Sequence, residues 1–150
     1  MKEFLSTKKY GHERGLSCAF RQWRAESHCN QIHGYALAFE FVFKAKELDE
    51  TNWVVDFGSL EPIEKWLKET FDHTTVVAED DPHRNLFEAM DDADIVDLRI
   101  LPGVGCEMFA QLAFDEVSGY IKEEYGERCE LISVRVSEHG ANSAICRRQN

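Results

Sequence analysis

The chain has 150 residues, a length that fits one domain. Its 43% apolar residues suffice for a core, and 17 basic against 28 acidic side chains give a formal charge of −11. This balance argues against a nucleic-acid binder, because phosphate binding depends on clustered lysines and arginines. The charge is uneven: residues 1–24 carry six basic and two acidic side chains, a sum of +4, so the remainder sums to −15.

The chain shows no sign of a membrane or secretory segment. No apolar run approaches the roughly 18 residues that span a bilayer, and the first eight residues have no apolar core of a signal peptide. The five cysteines follow neither a paired nor a regular spacing. We therefore expect no membrane partner and a reducing, cytoplasmic location, in which most cysteines are small buried residues.

Two alternating segments predict a β-hairpin early in the chain. Residues 17–25 place Cys18, Phe20 and Gln22 on one face. In residues 36–43, a leucine and three phenylalanines occupy every second position, the period of two that is typical of a strand with one strongly apolar face. Only residues 26–34 separate them, so the tip of the hairpin is predicted near residues 29–32.

Helical patterns follow the hairpin. Ser59 is the predicted N-cap of a helix whose apolar positions recur to Phe71. A second long helix is predicted from Cys106 to Tyr125, with Gly126 ending it. The remaining predicted elements are a short helix at 85–90, a strand at 96–101 and strands near 131–136 and 143–147.

The order hairpin, helix, helix, hairpin predicts an α+β fold, with two long helices on one face of a four-stranded antiparallel sheet. Such a sheet has two free edges, which proteins usually pair or cover. We therefore expect a homo-oligomer.

The densest group of reactive side chains lies at the predicted hairpin tip. His28 and His33 flank a short turn, where facing residues lie about 5 Å apart, so two imidazoles there can share one metal ion. Cys29 beside them can act as a thiolate near positive charge. The alternatives are an ordinary polar turn and a buried cysteine.

Two carboxylate–histidine pairs lie elsewhere. Asp72 can orient His73 and increase its basicity, although this pairing is common by chance. Glu138, before His139 at a strand end, can accept two N–H donors from a guanidine-like ring edge. A solvated strand end is the alternative for Glu138.

Taken in order, these segments resemble the 6-pyruvoyl-tetrahydropterin synthase / 6-carboxy-tetrahydropterin synthase family from about residue 20 to residue 148. The segments that carry the resemblance are Cys29–Tyr35 (similar to Cys-x-x-x-His-Gly-His), Asn52–Phe57 (Gly-Trp-Val-x-Asp-Phe), Phe71–His73 (Leu-Asp-His), Val104–Glu107 (Pro-Thr-x-Glu), and Glu138-His139 with Cys146-Arg147 (Glu-Thr and Tyr-Arg). The resemblance implies the tunnelling (T-) fold in one domain, residues 1–150, and a homo-oligomer, a hexamer in this family.

The resemblance also implies roles for individual residues. Cys29 would be the base that removes a proton from the side chain of a dihydropterin, and Asp72 with His73 would relay protons. Glu138 would anchor the pterin ring. Glu107 and Arg24 are further substrate-binding candidates, and His28 and His33 are the candidate ligands of a zinc ion.

The chain departs from the family pattern at the implied zinc ligands. The third family histidine is Tyr35 here, and the first is either Phe20, by its spacing to the cysteine, or His28, if the loop is shorter. Hairpin geometry favours His28. A catalytic zinc site needs three protein ligands plus water; the open candidates for the third are Tyr35, His12, His139 and Cys29. Cys106 also stands where the family usually has a threonine or serine before the glutamate of the helix start, so a side-chain hydroxyl is missing there.

The resemblance implies a lyase that converts dihydroneopterin triphosphate with the help of zinc, in the pathway to queuosine or related deazapurines. The alternatives are a non-catalytic pterin-binding or purine-binding protein that has lost the zinc site and a different pterin or purine reaction on the same fold. Because an acidic chain repels a triphosphate, Lys8, Lys9, Arg14, Arg21 and Arg24 are predicted to form a local positive mouth. A solvated terminal segment is the alternative.

Overall fold

All 150 residues are described in the structure, a computed structural model. The strands are β1 (Phe4–Tyr10), β2 (Leu16–Phe20), β3 (His33–Ala45), β4 (Thr74–Ala78), β5 (Leu98–Leu101), β6 (Cys129–His139) and β7 (Asn142–Arg147). The helices are α1 (Glu61–Phe71), α2 (Arg84–Asp92) and α3 (Cys106–Tyr125). None of them has the length and apolar character needed to cross a membrane.

One sheet contains every strand, in the order β5-β4-β2-β3-β6-β7, and β1 pairs with β3 beyond the end of β2. The pairs β2/β4 and β4/β5 are parallel, and the other pairs are antiparallel. The predicted α+β class is confirmed, but the sheet has seven strands rather than four.

The uncounted strands had weak sequence patterns for physical reasons. β1 is a charged edge strand with Lys8 and Lys9, a composition that protects edges from unwanted pairing. β4 is buried along its whole length, so its apolar run does not alternate. Its parallel pairing with β2 and β5 extends the sheet on the side of α2.

The core lies between the sheet and the helices α1 and α3. The phenylalanines of β3 at positions 39, 41 and 43 are fully buried, as are Phe71 of α1 and Phe109 of α3. Phe71 is edge-on to Phe109 at 5.1 Å between ring centroids and lies 5.0 Å from Phe39. The alternation of β3 therefore places one face against both helices.

The connection between β2 and β3 differs from the predicted tight hairpin. It comprises residues 21–32, with a 3-10 turn at His28–Asn30. Phe20, not His28, is the register partner of His33. The expectation of facing histidines is wrong, because the chain leaves the ladder at Arg21, whose guanidinium binds the buried Asp81 at 2.9 Å.

The long helices are close to the predicted ones. α3 spans the predicted residues, and Gly126 ends it with a φ of 62°. Ser59, however, is not the N-cap of α1. A 3-10 turn, Phe57–Leu60, precedes the helix because the Asp56 carboxylate accepts the Gly58 amide at 2.9 Å, and the Ser59 hydroxyl donates to the Asp56 carbonyl instead.

Candidate functional site

The apolar face of β3 becomes polar where the strand leaves the core. Leu37 is fully buried, and the next two residues on the same face are Tyr35 and His33. Across the ladder, Cys18 opposes Tyr35 and Phe20 opposes His33. We define the candidate site as the side chains around this polar end: Phe20, Cys29, His33, Tyr35, Cys106, Glu138 and His139.

The Tyr35 ring lies at the centre of the candidate site. It is nearly perpendicular to the His33 ring, with centroids 5.5 Å apart, and lies 6.0 Å from the His139 ring. The Phe20 ring is 6.2 Å from it and packs edge-on against Phe109 of the core at 5.2 Å. The site is therefore anchored to the hydrophobic core through Phe20.

The electrostatics of the site keep two groups protonated at neutral pH. Burial, and after it the negative charge of Glu138, raises the pKa of the Tyr35 phenol. Burial, followed by the charges of Glu138 and Glu107, raises the pKa of the Cys106 thiol to about 12. Glu138 continues the core face of β6 beyond Val136 and forms no ion pair with a lysine or arginine of the chain.

The hydrogen bonds of His33 and His139 distinguish their ring nitrogens. His33 Nδ1 lies 2.7 Å from the Gln31 carbonyl oxygen, which can only accept, so the proton is on Nδ1 and Nε2 carries a lone pair. The Ala141 amide donates to His139 Nδ1 at 3.2 Å, and the Asn142 side-chain amide nitrogen lies 3.3 Å from His139 Nε2, so both ring nitrogens of His139 face groups of the chain. Of these two histidines, only His33 therefore has a ring nitrogen, Nε2, without a partner within the chain.

Gln22 joins the loop 21–32 to the start of α3, a role that sequence reasoning missed. Its side-chain amide donates to the Val104 carbonyl at 2.5 Å, and its backbone amide donates to the Cys29 carbonyl at 2.9 Å. Gly105 allows this contact: its φ is 103°, and a Cβ there would lie 2.7 Å from Gln22 Nε2. A glycine just before a helix start was the available signal.

Some of the predicted site residues come together, and others do not. Cys29, His33 and Glu138 belong to the candidate site, and Glu107 lies beside it, exposed in the first turn of α3. His28 is exposed on the 3-10 turn. Arg24 lies over the Trp23 ring at 4.0 Å, with its guanidinium 3.4 Å from the Asp80 carboxylate.

The predicted Asp72–His73 pair forms, with His73 Nδ1 2.5 Å from the Asp72 carboxylate. It lies between α1 and β4, and β2 separates β4 from β3, so the pair is two strand positions from Tyr35. The His73 side chain is 85% exposed and forms no hydrogen bond with Cys29. Its φ of 57° places a non-glycine residue in the left-handed region.

The predicted positive mouth does not form from the arginines of the basic segment. Arg14 contacts Glu64 at 2.8 Å, Arg21 contacts Asp81 at 2.9 Å and Arg24 contacts Asp80 at 3.4 Å. Each guanidinium thus faces a carboxylate from a later part of the chain, because the acidic remainder folds against the basic N-terminal segment.

The residues present do not fit a three-ligand zinc site. Phe20, which has no donor atom, faces His33, and Tyr35 occupies the third position. No group of three histidine, cysteine, aspartate or glutamate side chains is arranged to hold a metal ion. His12, an open candidate for the third ligand, directs Nδ1 to the Ala36 carbonyl at 2.5 Å.

The sequence of this chain is similar to those of known proteins. The sequence model of a family described as 6-pyruvoyl tetrahydropterin synthase matches residues 11–149. Curated proteins named 6-carboxy-5,6,7,8-tetrahydropterin synthase, from Rickettsia bellii and Rickettsia felis, are 35% and 32% identical over 57 residues. The match covers 37% of this chain and 41% of each relative, less than half of their length.

Solved structures resemble the whole chain. An uncharacterised protein from Wolinella succinogenes superposes with a TM-score of 0.86 over 99% of this chain and 100% of that protein. The 6-pyruvoyl tetrahydropterin synthase of Plasmodium vivax gives a TM-score of 0.68 over 98% of this chain and 99% of that protein. The enzyme of the same name from Caenorhabditis elegans gives a TM-score of 0.62 over 99% of this chain and 96% of that protein. At 15% identity, these likenesses establish the fold alone, the tunnelling fold expected from the sequence.

Proposed function

We propose that this chain, which belongs to the 6-pyruvoyl tetrahydropterin synthase family, binds a pterin at the candidate site and acts on its side chain as a carbon–oxygen lyase. One observation carries the proposal: Glu138 is a half-buried carboxylate without a cation partner, at the polar end of an otherwise apolar face. A carboxylate has several acceptor positions, so beyond its contact with the Cys106 thiol it can accept further N–H donors.

The edge of a pterin ring complements this carboxylate. It presents two neighbouring N–H donors, which a carboxylate can accept in parallel, and charge-assisted bonds of this type are short and strong. The adjacent phenol of Tyr35 and thiol of Cys106 are both protonated, so neither adds a competing negative charge. Glu107 is a second candidate for contacts with the ring.

Cys29 is the proposed base. It lies half-buried on the 3-10 turn, where the bond from Gln22 fixes its backbone beside the candidate site. In the proposed step, the thiolate takes a proton from a side-chain carbon of the pterin, and the C–H electron pair stays with the substrate. We propose that the proton then passes from Cys29 to the Asp72–His73 pair. The contacts within one chain do not connect Cys29 with this pair, so the transfer requires a path beyond those contacts.

The substrate that we propose is dihydroneopterin triphosphate, with a 6-substituted tetrahydropterin as the product, in queuosine or related deazapurine synthesis. The names of the Rickettsia relatives support the 6-carboxy product. Since the residues present do not fit zinc, no step is assigned to a metal ion. The five free thiols are compatible with the cytoplasmic location that we propose.

A second candidate function is pterin binding without catalysis. Phe20 and Tyr35 favour it, since they stand where the resemblance implies metal-binding histidines. Turnover distinguishes the two candidates: incubation with dihydroneopterin triphosphate, followed by mass analysis, yields released triphosphate and a changed pterin only for the lyase. Cys29→Ala should abolish that turnover and retain pterin binding.

Binding itself is tested by Glu138→Gln. Loss of a charge-assisted hydrogen-bond pair costs about 1.5–3 kcal/mol, so the Kd for 7,8-dihydroneopterin should rise roughly 10- to 100-fold in calorimetry. Glu123→Gln, at an exposed position of α3, is the matched control and should leave the Kd unchanged. A wild-type protein that does not bind the pterin would contradict both candidate functions.

We also propose a homo-oligomer. β1 pairs only with β3 and β7 pairs only with β6, so each leaves an open edge at a different side of the sheet. Two different edges that bind each other form a head-to-tail contact, which closes into a ring when the rotation between copies allows it. The hexamer of the family resemblance is one such closed assembly.

A further inference from the structure

Tyr35 has no role in the function proposed above, yet it lies at the centre of the site. We propose that its hydroxyl, together with His33 Nε2, binds the hydroxylated side chain of the pterin, so that this site recognises a side-chain diol without a metal ion. The inference rests on the proposed function, because it requires a pterin held by Glu138.

The position of the Tyr35 hydroxyl supports this role. The ring is held between the rings of His33, His139 and Phe20, at centroid distances of 5.5, 6.0 and 6.2 Å. The Tyr35 hydroxyl forms no hydrogen bond within the chain. Ser118 has the only side-chain oxygen that is both buried and without a partner, so the unpaired Tyr35 hydroxyl must be accessible to solvent. A fixed ring with an unused hydroxyl is a preorganised contact for a ligand.

The Tyr35 hydroxyl can donate a hydrogen bond, because a phenol is protonated at neutral pH. His33 is complementary, since its proton is committed to the Gln31 carbonyl and Nε2 keeps a lone pair. The two residues are two apart on one strand face, so a donor and an acceptor lie side by side.

A diol matches this pair of groups. One side-chain oxygen of the ligand accepts the Tyr35 O–H, and the neighbouring hydroxyl donates to His33 Nε2. When the carbon that bears the first oxygen loses its proton to Cys29, the C–H bond breaks, an S–H bond forms and the electron pair passes into the conjugated pterin ring. Tyr35 keeps its own proton, and its hydrogen bond holds that carbon in position for the transfer.

Equilibrium binding tests the inference without turnover. The probes are 7,8-dihydroneopterin, which has the hydroxylated side chain, and 6-methyl-7,8-dihydropterin, which lacks it, each titrated into chelator-treated protein. Wild type should bind the hydroxylated probe about tenfold more tightly, the value of one to two hydrogen bonds. Tyr35→Phe, which keeps the His33 contact, should reduce this ratio to about threefold and leave the Kd of the methyl probe unchanged. Tyr125→Phe is the control and should leave the ratio unchanged, because the Tyr125 hydroxyl accepts from the Asp56 amide and is not part of the candidate site.

The outcomes separate this inference from the proposed function. If Tyr35→Phe retains the preference, if wild type binds both probes equally, or if the preference appears only after zinc is added, the inference is overturned and pterin binding stands. If wild type binds neither probe, the proposed function fails and the inference fails with it. Thermal unfolding of Tyr35→Phe establishes that the variant is folded.

Discussion

At the scale of single residues, burial divides the cysteines of this chain into inert and available thiols. Burial raises the pKa of both Cys18 and Cys106 to about 12, although a hydrogen bond with Thr74 acts in the opposite direction on Cys18. Cys29 lies on a surface turn instead. Because only the thiolate is nucleophilic, the division bears directly on which cysteine can serve as the base.

Alkylation tests this division. At pH 8, a thiol with a pKa of about 12 is only about one part in ten thousand thiolate, so iodoacetamide should modify Cys29 at least about tenfold faster than Cys18 or Cys106. Peptide mass spectrometry over time gives the rates, and unfolded protein, in which all thiols react alike, is the control. Equal rates for Cys29 and Cys106 in the folded protein would contradict the assignment of Cys29.

At the scale of elements, one ion pair fixes the loop that carries Cys29. Arg21 binds both oxygens of the Asp81 carboxylate at 2.9 Å and also donates to the Asn30 carbonyl at 3.1 Å. Burial alone would raise the pKa of Asp81, but the bonds from Arg21 and from the His83 amide outweigh it and hold that pKa below its ordinary value. The loop 21–32 is therefore fastened to the turn before α2.

Asp81→Asn should loosen this attachment. We expect a loss of about 1–3 kcal/mol in the free energy of unfolding at pH 7, measured with urea, because a buried charge-assisted pair is broken. The pKa of Asp81 is lower in the folded chain than its unfolded value of about 3.9. Its stabilising contribution is thus complete above that value and is lost as the pH falls through the folded pKa.

The difference between wild type and Asp81→Asn should accordingly shrink below about pH 4. Asp80→Asn is the matched control: its carboxylate, which faces Arg24, is exposed, so the effect should be much smaller. A difference that stays constant between pH 7 and pH 3 would show that the ion pair does not stabilise the folded chain.

Local signals predicted the elements that local physics determines. α3 was predicted to its last residue because twenty residues keep a helical period and Gly126 adopts a positive φ that ends it. β4 gave no alternation, since both of its faces are buried. The pairing of Phe20 with His33 depends on Arg21 reaching Asp81, sixty residues away, and no local pattern contains that contact.

The candidate site was predictable only where its residues stand on local sequence patterns. Cys29, His33 and Glu138 stand on recognisable segments, so their presence followed from the sequence. Tyr35 is central to the site because of rings from three different elements, and Gln22 matters only through the start of α3. Such roles arise from tertiary packing, which short sequence patterns do not encode.

At the scale of the whole molecule, α1 and α3 cover one face of the sheet, and the opposite face of β1 and β7 is open. The open face presents Leu5 of β1 and Ile145 of β7, which are 54% and 51% exposed. Each lies on an open-edge strand, so both edges at which copies of the chain are proposed to meet carry an exposed apolar side chain.

Ile145→Asp should therefore weaken the proposed oligomer. A carboxylate buried at an edge-to-edge contact is costly, so light scattering after size-exclusion chromatography should show a lower mass than for wild type at the same concentration. Ile95→Asp is the matched control, since Ile95 is 67% exposed on the connection to β5, away from β1 and β7. A monomeric wild type, or equal effects of the two substitutions, would contradict assembly through β7.

The left-handed backbone at His73 sets stability against the proposed proton relay at one position. A non-glycine residue in this conformation costs roughly 1–2 kcal/mol of folding free energy. Glycine removes that cost, but it loses about 0.5–1 kcal/mol more chain entropy on folding, which offsets part of the gain. His73→Gly should therefore leave the melting temperature unchanged or raise it, whereas His73→Val should lower it. An engineering programme that selects for thermal tolerance alone would discard the imidazole, so variants of this protein need a pterin assay beside every melting curve.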